Sequence, residues 1–211
     1  MMMWRLLQLA DSAFPTGAFA HSGGLEAAMQ AREVTCAEEL RRFAQGAIWQ
    51  AGFGALPLLR AAHEDPSALP ALDARADAFL VNHVANRASR TQGRALLATC
   101  RRAFPGEVPE LAAQHLAPLW GAVFKQLGVP LLDAQRLFLW GAARGMLSAA
   151  VRLGLAGTHE AQAMLSQLAG TLEEVLTTCA ALELEALAQT APLADLLQAT
   201  HDRLYSRLFQ S

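Results

Sequence analysis

From Leu165 onward, apolar residues recur at steps of three and four, through Leu168, Leu172, Val175, Leu176, Cys179, Leu182 and Leu187, with glutamates 173, 174, 183 and 185 falling largely between them. One apolar stripe at a period near 3.6 marks a helix packed on a core, and it predicts a core-facing helix of about thirty residues here. The same period dominates the rest of the chain, and nowhere do β-branched residues alternate with polar ones between turn residues. The pattern predicts an all-α fold: a single-domain helical bundle of roughly eight to ten helices spanning residues 1–211.

Turn residues divide this bundle. A short helix over Met3 to Ala10 gives way to a loop from Asp11 to Ser22, dense in Ser, Pro and Gly, before a second helix near Gly23. Thr35-Cys36-Ala37-Glu38 has the form of a capping box and predicts a helix to about Gly52, with a break at Gly54 to Pro57. Asp65-Pro66-Ser67 and Phe104-Pro105-Gly106 mark turns around a long helix, Leu72 to Ala103, open to interruption at Arg90 to Gly93. A helix over Pro109 to Gln126 follows, ended by Gly128-Val129-Pro130; Asp133 then caps a helix reaching Leu153, and Thr158 restarts the chain after Gly154 and Gly157. Pro192 ends the glutamate-studded pattern, leaving a last amphipathic segment from Leu193 towards Phe209. No repeat, low-complexity tract or long polar linker divides the 211 residues.

Apolar residues make up 53% of the chain and charged residues only 17%, so part of the surface must be apolar or small-side-chain. That suits buried contacts with partners, and equally an ordinary helical core rich in Ala and Leu. Formal charge is −2, with no basic run longer than a pair such as Arg41-Arg42, which argues against nucleic-acid binding. Lys125 is the one lysine; the arginines suit planar pairing with carboxylates, or reflect genomic base composition. Cys36, Cys100 and Cys179 are odd in number and widely spaced, unlike a disulfide framework or a zinc site. Ala18-Phe19-Ala20 resembles a signal-peptidase site without the segments that should precede it, and Arg144 and Arg152 interrupt the apolar stretch from Leu137 to Gly157. A soluble cytoplasmic protein is expected.

Candidate chemistry is sparse. Asp11, Ser12 and His21 are the residue types of a hydrolytic triad, but they share one loop without a strand-turn-helix elbow, and Asp and Ser before helices commonly serve as caps. His63, His83, His115, His159 and His201 stand singly, with no spacing that puts two imidazoles on one helical face, so structural roles are expected. Gly52-Phe53-Gly54 lacks the strand and third glycine of a dinucleotide fingerprint, and no phosphate loop occurs. Adjacent pairs such as Glu38-Glu39 and Glu173-Glu174 diverge by about 100° on a helix and do not converge on a substrate. No catalytic residue, metal ligand or cofactor is expected.

Four stretches carry a resemblance. LLQLADSAFPTGAFAHSGGLE holds Ser12, Pro15, Gly17, Ser22, Gly24, Leu25 and Glu26 at spacings similar to the N-terminal signature of the urease accessory protein UreF family. NRASRTQGRALL, Asn86 to Leu97, is loosely similar to a family segment. SAAVRLGLAGTHEAQ, from Ser148, resembles the family's AAVRLGPLGQ-type element, departing at Ala156 and Thr158. HDRLYSRLFQS is similar to the family's terminal H-E-T-Q-Y-S-R-L-F motif, departing at Asp202, Arg203 and Leu204.

The resemblance implies a non-catalytic maturation factor that forms a homodimer, joins a UreD/UreH-type accessory subunit, and recruits the UreG GTPase for nickel insertion into apo-urease. A second reading makes it a direct regulator of that GTPase's hydrolysis rate. The partner-binding candidates it implies are Ser12, Pro15, Gly17, Ser22, Gly24 and Glu26 in the loop, Arg152 in the central element, and His201, Tyr205, Arg207, Leu208 and Phe209 in the tail. Arg152 either presents its charge to the GTPase or offsets the macrodipole at a helix C-terminus.

Overall fold

The segment Leu116–Gln126 is a helix in which every residue from Ala117 to Phe124 is buried, so other helices must enclose it on all sides. The computed structural model describes residues 2–211. Its helices are α1 (Met2–Ala10), α2 (Leu25–Gln30), α3 (Ala37–Glu64), α4 (Leu69–Phe79), α5 (His83–Ala103), α6 (Leu116–Gln126), α7 (Leu131–Arg152), α8 (Thr158–Gln167), α9 (Ala169–Cys179) and α10 (Pro192–Ala199). No strand occurs among the described residues, and the all-α expectation with up to ten helices holds. None of these helices is long and apolar enough to cross a membrane.

Central α6 packs on α3, α4, α5 and α7. Its crossing with α3 is a backbone contact: a Cβ on Gly121 would stand 2.1 Å from the Leu59 carbonyl oxygen, so only glycine allows this approach. Around it Trp120 stacks on Phe124 with centroids 4.5 Å apart, meets Phe138 edge-on, and donates its indole N–H to the Ala134 carbonyl at 3.0 Å. Leu40, Ile48, Leu56, Leu59, Leu96 and Leu139 complete the main core, while Leu58, Leu69, Leu72 and Leu119 form a second cluster beneath α4.

Several boundaries differ from those the sequence suggests, each through a contact distant in sequence. The break near Pro57 is absent, and α3 runs 28 residues. Proline cannot donate to the Phe53 carbonyl; that oxygen instead accepts from the Ala188 amide at 3.4 Å. The capping box is shifted by one residue, because Glu39 rather than Glu38 accepts from the Thr35 amide and hydroxyl, both at 2.8 Å. The long helix from Leu72 divides at Leu80–Asn82 rather than at Arg90–Gly93, where the Asn82 side chain caps the Val84 amide at 3.0 Å.

Residues 109–115 are not helical, since Asp73 Oδ1 takes the Gln114 and His115 amides at 2.9 and 2.8 Å before α6 begins. Asp133 lies inside the first turn of α7 instead of capping it. The thirty-residue helix bends at Leu168 and stops at Cys179. There Gln135 and Arg60 reach from other helices to the carbonyls of Ala180 and Ala181, at 2.8 and 2.7 Å. After α10 the tail is one 3-10 turn, His201–Arg203, and then irregular chain, not a continuing amphipathic helix.

A methyl group at the α3–α6 crossing should be costly. Gly121→Ala is expected to lower stability by about 2 kcal/mol or more in urea denaturation. Gly46→Ala, where a Cβ meets nothing within 4 Å, should raise it by roughly 0.5–1 kcal/mol.

Candidate partner-binding surface at the joined chain ends

The loop after α1 is shaped by its own short side chains. Asp11 Oδ1 accepts the Ala13 amide at 2.9 Å, and the Pro15 carbonyl accepts the Thr99 hydroxyl of α5 at 2.8 Å. Gly17 enters a 3-10 turn, Ala18–Ala20, from a φ of 76°. Gly24 opens α2 at φ 89°, where a Cβ would also stand 3.0 Å from Gln198 of α10.

This shape receives the tail. The Gln210 amide donates to Ala20 O at 2.8 Å, and the Ser22 amide and hydroxyl both donate to Ser211 O, at 2.5 and 2.8 Å. The His21 Nδ1 lies 2.7 Å from Ser211 Oγ. Beneath them sits Glu26, only 3% exposed. Its carboxyl oxygens accept from the Leu208 amide at 2.6 Å and the Phe209 amide at 3.1 Å, with His201 Nε2 at 3.0 Å. A buried carboxyl is tolerated only with such partners, and the tail supplies every one of these three.

The central element closes the joint. The Arg152 guanidinium stacks 3.7 Å from the Phe19 ring centroid and 4.2 Å from that of Phe209, and it donates to the Phe19 carbonyl. From the second stretch, Arg87 grips Asp202 of the fourth with two bonds of 3.0 and 2.8 Å, joined by His83 at 3.2 Å and Arg207 at 3.4 Å. The hydrogen bond from Arg87 is the main reason Asp202 is held below the usual carboxylate range. Asp202, a departure from the motif, is thus accommodated by charges on α5. Its partners Arg87 and His83, together with Phe19 and Ser211, are participants that periodicity gave no means of finding, because they join across the fold.

The structure separates the sequence candidates by their place in the fold. Ser22, Glu26, His201 and Phe209 are buried inside the joint, and Pro15, Gly17 and Gly24 shape its loop. Arg152 is fixed between two rings, while Ser12 lies exposed on a cleft of about 490 Å³ beside the loop. Tyr205, Arg207 and Leu208 point outward, Tyr205 with its side chain fully in solvent at 104%. The triad types do not assemble: Asp11 serves its own turn, and His21 pairs with Ser211 rather than Ser12. Of the other histidines, His63 bonds the Val129 carbonyl at 2.8 Å and His115 meets Ser89 and Asp77. No group of three metal-ligating side chains gathers among the described residues.

Burial, reinforced by the charges of Arg87 and His201, pushes the His21 pKa below its ordinary 6.5. The unfolded chain then takes up a proton before the folded one does, so this contribution is complete above about pH 6.5 and is lost as pH falls from there toward the folded value. A melting series from pH 7.5 to 5 should show that decline, and His21→Asn should flatten it. Glu26→Ala should free the tail, speeding hydrogen exchange at the Leu208 and Phe209 amides by about 100-fold, the equivalent of roughly 3 kcal/mol of lost local protection.

A model of the UreF family matches residues 34–169. Over 98% of this chain and 84% of its own length, the "Urease accessory protein F" of Oryza sativa subsp. indica is 36% identical. The protein of that name from Arabidopsis thaliana is 37% identical over 100% of this chain and 93% of its own. The "Urease accessory protein UreF" of Cereibacter sphaeroides strain KD131 is 34% identical across 98% and 97% respectively. A match over most of the bundle, continued by relatives through both end segments that build the joint, has one reading: this chain belongs to the UreF family.

Proposed function

We propose that the protein is a non-catalytic scaffold for urease maturation, dimeric in its working form, which links a UreD/UreH-type subunit to the UreG GTPase for nickel insertion into apo-urease. One observation carries this reading. The four family-like stretches converge on a single joint whose buried members hold up an exposed ridge of Tyr205, Arg207 and Leu208. An exposed aromatic and leucine on a chain end fixed by internal hydrogen bonds make a preorganised contact, for which little ordering entropy is lost on binding. Apolar side chains on the outer faces of α1 and α7, including Trp4 at 76% and Trp140 at 38% exposure, supply area for contacts between copies.

For the second reading, direct regulation of GTP hydrolysis, Arg152 was the strongest candidate. Its clamp between Phe19 and Phe209 favours a positioning role over that of a mobile arginine finger.

Co-expression with a UreD/UreH-type subunit and UreG, sized by light scattering, tests the scaffold. Wild-type chain should give a defined complex. Tyr205→Ala combined with Leu208→Asp should weaken it at least tenfold while leaving the melting temperature of the isolated chain unchanged. A complex indifferent to both substitutions and to removal of residues 201–211 would refute the tail as an interface, and no complex in any arm would refute the scaffold.

A further inference from the structure

Six arginines are half-buried. Arg5, Arg41, Arg60 and Arg90 each face a carboxylate, at 2.9, 2.6, 2.9 and 3.9 Å. The remaining two, Arg144 and Arg152, have no carboxylate within 4.0 Å among the described residues, and both line the 490 Å³ cleft between the Ser12–His21 loop, α7 and α8. A partly desolvated guanidinium is ordinarily matched by an anion, because its burial is otherwise unfavourable.

No aspartate or glutamate lines this cleft, although the chain as a whole is acidic. Its polar side chains include His21, Ser148 and Thr158, and its apolar walls include Phe14 and Leu165. Asp11 lines a smaller adjoining cavity of about 150 Å³ that also touches Arg144, but its Oδ1 is occupied by the Ala13 amide. Two cleft residues carry buried polar atoms with no hydrogen-bond partner, Arg144 Nε and His21 Nε2. The chain thus leaves polar groups in the wall of this cleft unmatched.

We propose that this cleft binds a small organic oxyanion, a carboxylate or phosphate monoester. Arg144 and Arg152 take its charge, and Phe14 and Leu165 take its apolar body. The volume falls within the usual range for small-molecule sites, and two positive groups in an acid-free concavity concentrate anions from solution. The exposed side chains of Ser148 and Gln162 lie at its mouth. This assignment stands independently of the urease-related reading, since it concerns the isolated chain.

Calorimetric titration of the full chain with phenyl phosphate, citrate and inorganic phosphate, at constant ionic strength, tests it. At least one probe should bind saturably with one-to-one stoichiometry. Arg144→Gln should weaken that binding about tenfold or more, the loss expected for one charge-assisted contact. Ser148→Glu, an exposed change that places a carboxylate in the mouth, should abolish it, and Arg42→Gln, on an exposed unpaired arginine elsewhere, should leave it unchanged. Circular dichroism melting establishes that each variant is folded. Absence of saturable binding by every probe overturns the proposal, as does equal weakening by Arg42→Gln and Arg144→Gln. If the probes fail while Ser148→Glu disrupts capture of a partner subunit, the cleft serves a protein carboxylate and the small-molecule assignment falls.

Discussion

The buried carboxyl of Glu26 is the constraint on which the arrangement of both chain ends depends. Burying it is unfavourable unless its oxygens find donors, and two of the donors are main-chain amides that exist there only if the tail lies along α2. Once the tail is so placed, Phe209 completes the stack on Arg152, Ser211 meets Ser22, and Asp202 comes within reach of Arg87. The joint therefore behaves as one cooperative unit, in which loss of a single acceptor releases partners on α5, α7 and the loop before α2.

Helical class and approximate helix number follow from apolar periodicity, because each helix needs only its own stripe to declare itself. Boundaries were harder to read for a specific reason. The continuation of α3 through Pro57 depends on an amide 131 positions after it, at Ala188, and the late start of α6 depends on Asp73. Local propensity rules describe what a segment does alone, and at these points a distant partner supplies the missing bond or takes the competing one. The stop at Cys179 has the same origin, in side chains reaching over from α3 and α7.

The site was legible in part. Ser22, Glu26, His201 and Phe209 stood out through their positions in recognisable stretches, yet their burial reverses the role a motif residue is first given: they hold a surface in place instead of forming it. What they hold out is a short exposed run, Tyr205 to Leu208, between half-buried Leu204 and buried Phe209. Arg87 and Phe19 could not be singled out, since an arginine on a polar helix face and a phenylalanine in a turn gain meaning only when the opposing charge or cation arrives from the other end of the chain.

The proline in α3 carries a mechanical consequence. The Phe53 carbonyl it releases, together with Gln50 Oε1 at 2.6 Å from the Thr190 amide and 3.1 Å from that of Ala191, moors the strap that leads into α10. That helix in turn lies against α2 and α5 and presents Gln198 to Gly24. A pull on the tail is thus transmitted through the strap to the middle of the longest helix, so the end of the chain is tethered along α3 as well as at α2 and α5.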